Sequence, residues 1–132
     1  MSLQVPFAIA IGGSIGALLR HYTSAGVVKL TGDELSYMGT VSVNLAGCFA
    51  IGILATVADR TTALSPTMQR CLITGLLGSL TTFSTFALDS LKLLQAGRLA
   101  AAIGNTSVNL IAGILLVWLG TLLAGTFLPP QS

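Results

Sequence analysis

Apolar residues fall in four long blocks, from about Val5 to Leu30, Met38 to Ala58, Met68 to Leu94 and Leu99 to Leu128. Each is close to or beyond the ~20 residues a helix needs to cross a bilayer. Short polar runs separate them: Thr31-Gly32-Asp33-Glu34, Asp59-Arg60-Thr61-Thr62 and Gln95-Ala96-Gly97-Arg98. Residues of this kind end helices and reverse the chain. The pattern predicts an all-α membrane protein, a single transmembrane domain over residues 1–132 with four membrane helices and both termini on one side. One block departs from it. Between Gly75 and Phe86 the chain reads Gly-Leu-Leu-Gly-Ser-Leu-Thr-Thr-Phe-Ser-Thr-Phe, with glycines and hydroxyls inside an apolar stretch. The third helix is therefore expected to break there, with Gly75 and Gly78 weakening it. In hydrocarbon a break survives only where the freed backbone groups meet protein, water or an ion, so it also marks a functional centre.

Composition fits a membrane setting. The chain is 53% hydrophobic and 8% charged, and its mean hydropathy of +0.88 lies outside the soluble range. A net charge of +2, scattered along the chain, gives no footprint for nucleic acid. The first block lacks the basic lead of a signal peptide. Cys48 and Cys71 sit in or beside apolar blocks, where thiols pack as small hydrophobes. His21 has no second histidine to build a zinc site with. With four crossings, one side carries Arg60 and Arg70 and the other Lys29, Lys92 and Arg98. Two against three leaves the positive-inside rule little to act on. A chain that inserts both ways can close as an antiparallel homodimer.

Polar side chains inside the blocks are candidates for a site. Gly12 and Gly16 form a small-xxx-small pair, and Arg20 follows one turn later. Thr40, Asn44 and Cys48 recur every four residues on one helix face. Asn44 offers uncharged N–H donors that could hold an anion without trapping it, or could simply bond to a neighbouring helix. Asn105, Asn109 and Gly113 repeat the spacing on the fourth block, suggesting a wet polar track. At the break, Thr82, Ser84 and Thr85 supply hydroxyls, and Phe83 and Phe86 supply ring edges that are positive at the rim. No carboxylate lies deep in a block, which favours passive conduction over proton coupling. A small proton-coupled multidrug exporter and a non-transporting scaffold subunit are the competing readings, and the exporter lacks its membrane carboxylate.

Three ordered motifs resemble the Fluc/CrcB family of fluoride channels: Gly12-Gly13-Ser14-Ile15-Gly16-Ala17-Leu18-Leu19-Arg20, Gly39-Thr40-Val41-Ser42-Val43-Asn44-Leu45-Ala46-Gly47, and Gly75 through Phe86. The resemblance covers nearly the whole chain. It implies a dual-topology antiparallel homodimer with two fluoride pores, passive export of fluoride from the cytoplasm, and a multi-pass place in the bacterial inner membrane, surrounded by lipid. It further implies that Phe83 and Phe86 line the pore with Asn44, that Ser84 and Thr85 lie beside the path, and that Arg20 stands near an aqueous vestibule. A sodium ion would sit at the dimer axis, held by the main-chain carbonyls of Gly78 and Thr81. Asn105 stands where many members carry tyrosine, and Asn109 and Gly113 where serines are frequent, so a polar face persists with different chemistry.

Overall fold

A computed structural model describes residues 3–128, which are helix and turn with no strand among them. Helix α1 spans Gln4–Thr31, and a single 3-10 turn at Asp33–Leu35 leads into α2, Tyr37–Arg60. Helix α3 covers 66–80, α4 is Phe83–Gln95, and α5 is Leu99–Phe127. These bounds sit within a few residues of the four apolar blocks, because the punctuation supplies real stops. Gly32 ends α1 with φ +84, its N–H bonding back to Val28 O at 2.8 Å. Gly97 follows α4 with φ +71, a conformation a side chain would strain. Ser65 caps α3, accepting from the Met68 N–H at 3.3 Å, and Pro66 takes the first turn, where its missing N–H costs nothing.

Two stretches are not regular α-helix. Arg70–Leu77 in α3 and Val108–Ala112 in α5 have the wider π-helical turn, a form found mostly in short pieces and often at functional sites.

Glycine seams bring the helices together. A Cβ at Gly12 or Gly16 would run into the backbone carbonyls of Cys71 or Leu76, and one at Gly75 would meet Ile9 O and the Gly13 N–H. The small-xxx-small pair of α1 therefore seats the π stretch of α3 within the same chain. Gly52 and Gly120 do the same between α2 and α5, against Val117 and Phe49. Backbones approach this closely only where side chains are absent, the usual device when lipid removes the hydrophobic drive between helices. Gly16→Ala should therefore destabilise by about 1–3 kcal/mol or more, whereas Gly26→Ala, with nothing within 4 Å of the added methyl, should be neutral or stabilising by up to about 1 kcal/mol. Thermal unfolding in detergent separates the two.

At one end of the bundle Arg98 Nη1 donates to Glu34 O at 2.7 Å; at the other Arg60 Nη1 donates to Leu128 O at 3.3 Å. The turns after α1 and α4 therefore share one end, and the chain after α2 shares the opposite end with the close of α5. The buried apolar core is thin, with Val41, Val43, Leu77, Phe86 and Leu93 its larger members. Large apolar residues face outward on α1 (Phe7, Ile11, Leu18), α4 (Leu88, Leu91) and α5 (Ile114, Trp118), the inverse of a protein built for water. Tyr37–Arg60, Pro66–Gln95 and Leu99–Phe127 are long and apolar enough to cross a membrane. Helix α1 has the length, 28 residues, and the same outward apolar face, diluted by Arg20 and His21.

Candidate functional site

Between α3 and α4 the backbone is extended at Thr81 (φ −82, ψ 154) and Thr82 (φ −151, ψ 114). No glycine makes this interruption. Gly78 is helical, with φ −63 and ψ −28, and Gly75 serves the seam with α1, so the sequence-based expectation that these two loosen the helix is corrected. A side chain from α2 holds the break instead. Asn44 Oδ1 accepts from the Thr82 N–H at 2.8 Å, and Asn44 Nδ2 donates to Thr82 O at 3.2 Å. One amide thus satisfies both backbone polar groups of Thr82, as an apolar setting requires.

The break frees a run of carbonyls. In an unbroken helix the Thr82 N–H would bond to Gly78 O and the Thr85 N–H to Thr81 O. Here the Thr85 N–H goes to Thr82 Oγ1 at 3.3 Å, the N-cap of α4. The carbonyls of Gly78, Ser79, Leu80 and Thr81 thus all lose their helical donors, and Gly78 and Thr81 stand at the two ends of that run. Neutral carbonyl oxygens are ligands suited to a hard cation, so the chemistry of this pair fits a sodium ion. Gly47, on α2, lies directly against the Thr81 methyl group.

Both N–H groups of the Asn44 amide are occupied within the chain, since Nδ2 also donates to Asn109 Oδ1 at 2.8 Å. Asn109 Nδ2 donates to Asn105 O at 2.9 Å and Asn105 Oδ1 at 3.1 Å, and Asn105 Nδ2 donates to Ser90 Oγ at 2.9 Å. The track on α5 is a bonded ladder, with Asn105 only 2% exposed. Hydroxyls gather at the other face of the break: Thr82 Oγ1 lies 3.0 Å from Thr85 Oγ1 and 3.4 Å from Ser84 Oγ. They surround the start of α4, where the helix dipole favours negative charge.

Phe83 and Phe86 meet edge to face, centroids 5.4 Å apart at 64°. Phe86 is 7% exposed, whereas Phe83 is 75% exposed. Both rings line a groove of about 310 Å³ shared with Asn44, Thr81, Thr82 and Asn109. A wider vestibule of about 760 Å³ is lined by Arg20, Lys29, Asp33, Thr40, Thr82 and Thr85. Thr82 belongs to both, so vestibule and groove adjoin at the break. Sequence reasoning put Thr40 on the Asn44 face without its partner Asp89, and missed Ser90 as a member of this region. Thr40 donates to Asp89 Oδ2 at 2.8 Å, and the only signal was Thr40's place on the Asn44 face.

Fold and site define a class: a multi-pass membrane protein whose polar side chains converge where Thr81 and Thr82 interrupt a helix. The chain belongs to the CrcB family, since the family model described as "CrcB-like protein, Camphor Resistance (CrcB)" matches residues 7–121. It is similar to a fluoride-specific ion channel FluC of Stutzerimonas stutzeri, 42% identical over 122 residues, which cover 92% of this chain and 98% of that one. The FluC of Citrifermentans bemidjiense is 39% identical over 116 residues, 88% of this chain and 93% of that one. The FluC of Acidobacterium capsulatum is 39% identical over 112 residues, 85% and 89% respectively.

Proposed function

We propose that this chain is a fluoride-selective ion channel that lets fluoride leave the cytoplasm passively. The observation that carries the reading is the junction at Thr82, where a vestibule bearing Arg20 and Lys29 adjoins a groove bearing both phenylalanines. The name of its relatives, fluoride-specific ion channel, agrees. Arg20 and Lys29, against the single carboxylate of Asp33, leave the mouth net positive and raise the local anion concentration there. Past them the donors are neutral: hydroxyls of Thr82, Ser84 and Thr85, then the positive rims of Phe83 and Phe86. Groups of this kind replace part of the water around a small anion without holding it as a lysine would, so it can leave again. The asparagines support the path from behind. Hydrogen fluoride enters cells uncharged and dissociates, and an inside-negative potential, worth about 2.3 kcal/mol per charge per 100 mV, drives the anion out.

In this reading all four long helices cross the bacterial inner membrane, and two chains pair as an antiparallel, dual-topology homodimer. The outward-facing Phe83, 75% exposed on one protomer, then meets a second copy, and the near balance of Arg60 and Arg70 against Lys29, Lys92 and Arg98 supports insertion both ways. Carbonyls of Gly78 and Thr81 from each protomer would hold a sodium ion at the two-fold axis, neutralising the oxygens the break exposes. Purified protein in potassium-loaded liposomes tests the whole reading. A fluoride electrode should record rapid release once the charge is shunted, with chloride retained; equal leakage of both anions refutes it.

A further inference from the structure

We propose that Ser90, which sequence reasoning passed over, is a positioning residue: through Asn105, Asn109 and Asn44 it sets which way the amide at the break points. The inference rests on the channel reading for its transport arm only.

The argument is one of polarity. A serine hydroxyl has one hydrogen, and that of Ser90 goes to Phe86 O at 2.9 Å. Toward Asn105 the oxygen can therefore only accept, and it accepts from Nδ2 at 2.9 Å. That choice turns Asn105 Oδ1 to Asn109, whose Nδ2 answers it at 3.1 Å. Asn109 Oδ1 is then presented to α2, where Asn44 Nδ2 donates to it at 2.8 Å. Asn44 Oδ1 is left to meet the Thr82 N–H at 2.8 Å. Main-chain carbonyls agree with this sense, Asn105 O accepting from Asn109 Nδ2 at 2.9 Å and Thr82 O from Asn44 Nδ2 at 3.2 Å, so a single sense runs from Ser90 to the break. With Asn105 2% exposed, no bulk water is available to reset it. The ladder leaves α4 at Ser90 and returns to that helix's N-cap at Thr82, two turns earlier, so it also fixes the first turn that carries Phe83, Ser84, Thr85 and Phe86.

Threonine and valine have the same shape and differ in the hydroxyl, so Ser90→Thr and Ser90→Val separate polarity from packing, and Ser90→Ala replaces them should a branched side chain disturb folding. Two readouts are taken on folded protein: exchange of the Thr82 amide hydrogen by NMR, and fluoride efflux from liposomes. Ser90→Thr should match the native chain. Ser90→Val and Ser90→Ala should exchange the Thr82 hydrogen about tenfold faster and release fluoride about fivefold more slowly, the scale of one lost hydrogen bond. Equal behaviour of the threonine and valine variants, or a Thr82 amide indifferent to Ser90→Ala, overturns the proposal. A native chain that moved no fluoride would refute the channel reading, while the relay would stand or fall on the exchange of Thr82.

Discussion

Phe86→Ile is expected to cut fluoride efflux on the order of 100-fold, the scale seen when one preorganised donor is removed from an anion-stabilising site. Isoleucine keeps a large apolar side chain in the groove but has no ring, so the positive rim that would face a passing anion is lost. Phe86 is nearly buried and touches Phe83 edge to face, so some stability is lost as well, though less than the roughly 3–5 kcal/mol of truncation to alanine. Phe83→Ile isolates the transport effect. That ring is mostly exposed on the protomer, so its replacement should leave the fold of each chain untouched while flux falls by a similar factor. Ion-electrode efflux beside a detergent unfolding curve measures both. Normal flux in both variants would return the rings to ordinary packing.

Asn44→Leu has the second large effect, and it acts in two ways. Leucine strands the N–H and the carbonyl of Thr82, both bonded to the amide, and leaves Asn109 Oδ1 without its donor. Each stranded buried group costs about 1–3 kcal/mol, so the unfolding midpoint should drop clearly. Flux should be lost too, because the Thr82 peptide carries the hydroxyl where vestibule and groove adjoin. Asn44→Asp retains an acceptor for the Thr82 N–H but loses both donors, and its charge opposes an anion; it should fold better than the leucine variant and still fail to conduct. A leucine variant with native efflux would remove Asn44 from the mechanism.

That double effect could not be read from the sequence. The four-residue spacing of Thr40, Asn44 and Cys48 placed one polar face on α2, and the residues from Gly75 to Phe86 announced an interruption, both from local pattern. Helix ends were legible for the same reason, since Gly32 and Gly97 act on their own neighbours. Which glycine or threonine carried the break was not local. It depends on Asn44, 38 residues earlier in the chain, so the glycines drew attention that belonged to Thr81 and Thr82. Gly12 and Gly16 signalled a close approach without naming the partner, which proved to be the π stretch of α3. Ser90 was invisible, and the role of Asp89 unreadable, because their meaning comes from Asn105 and Thr40 across helix interfaces.

The absence of a side chain at Gly47 has a reach beyond its own helix. The methyl group of Thr81 rests where a Cβ of residue 47 would be, so one hydrogen atom on α2 defines how near the extended strand of the break can lie. A single carbon added there would act as a shim, lifting Thr81 and its carbonyl away from wherever a cation would sit. How tightly the break can pack is thus set on a different helix from the one that carries it.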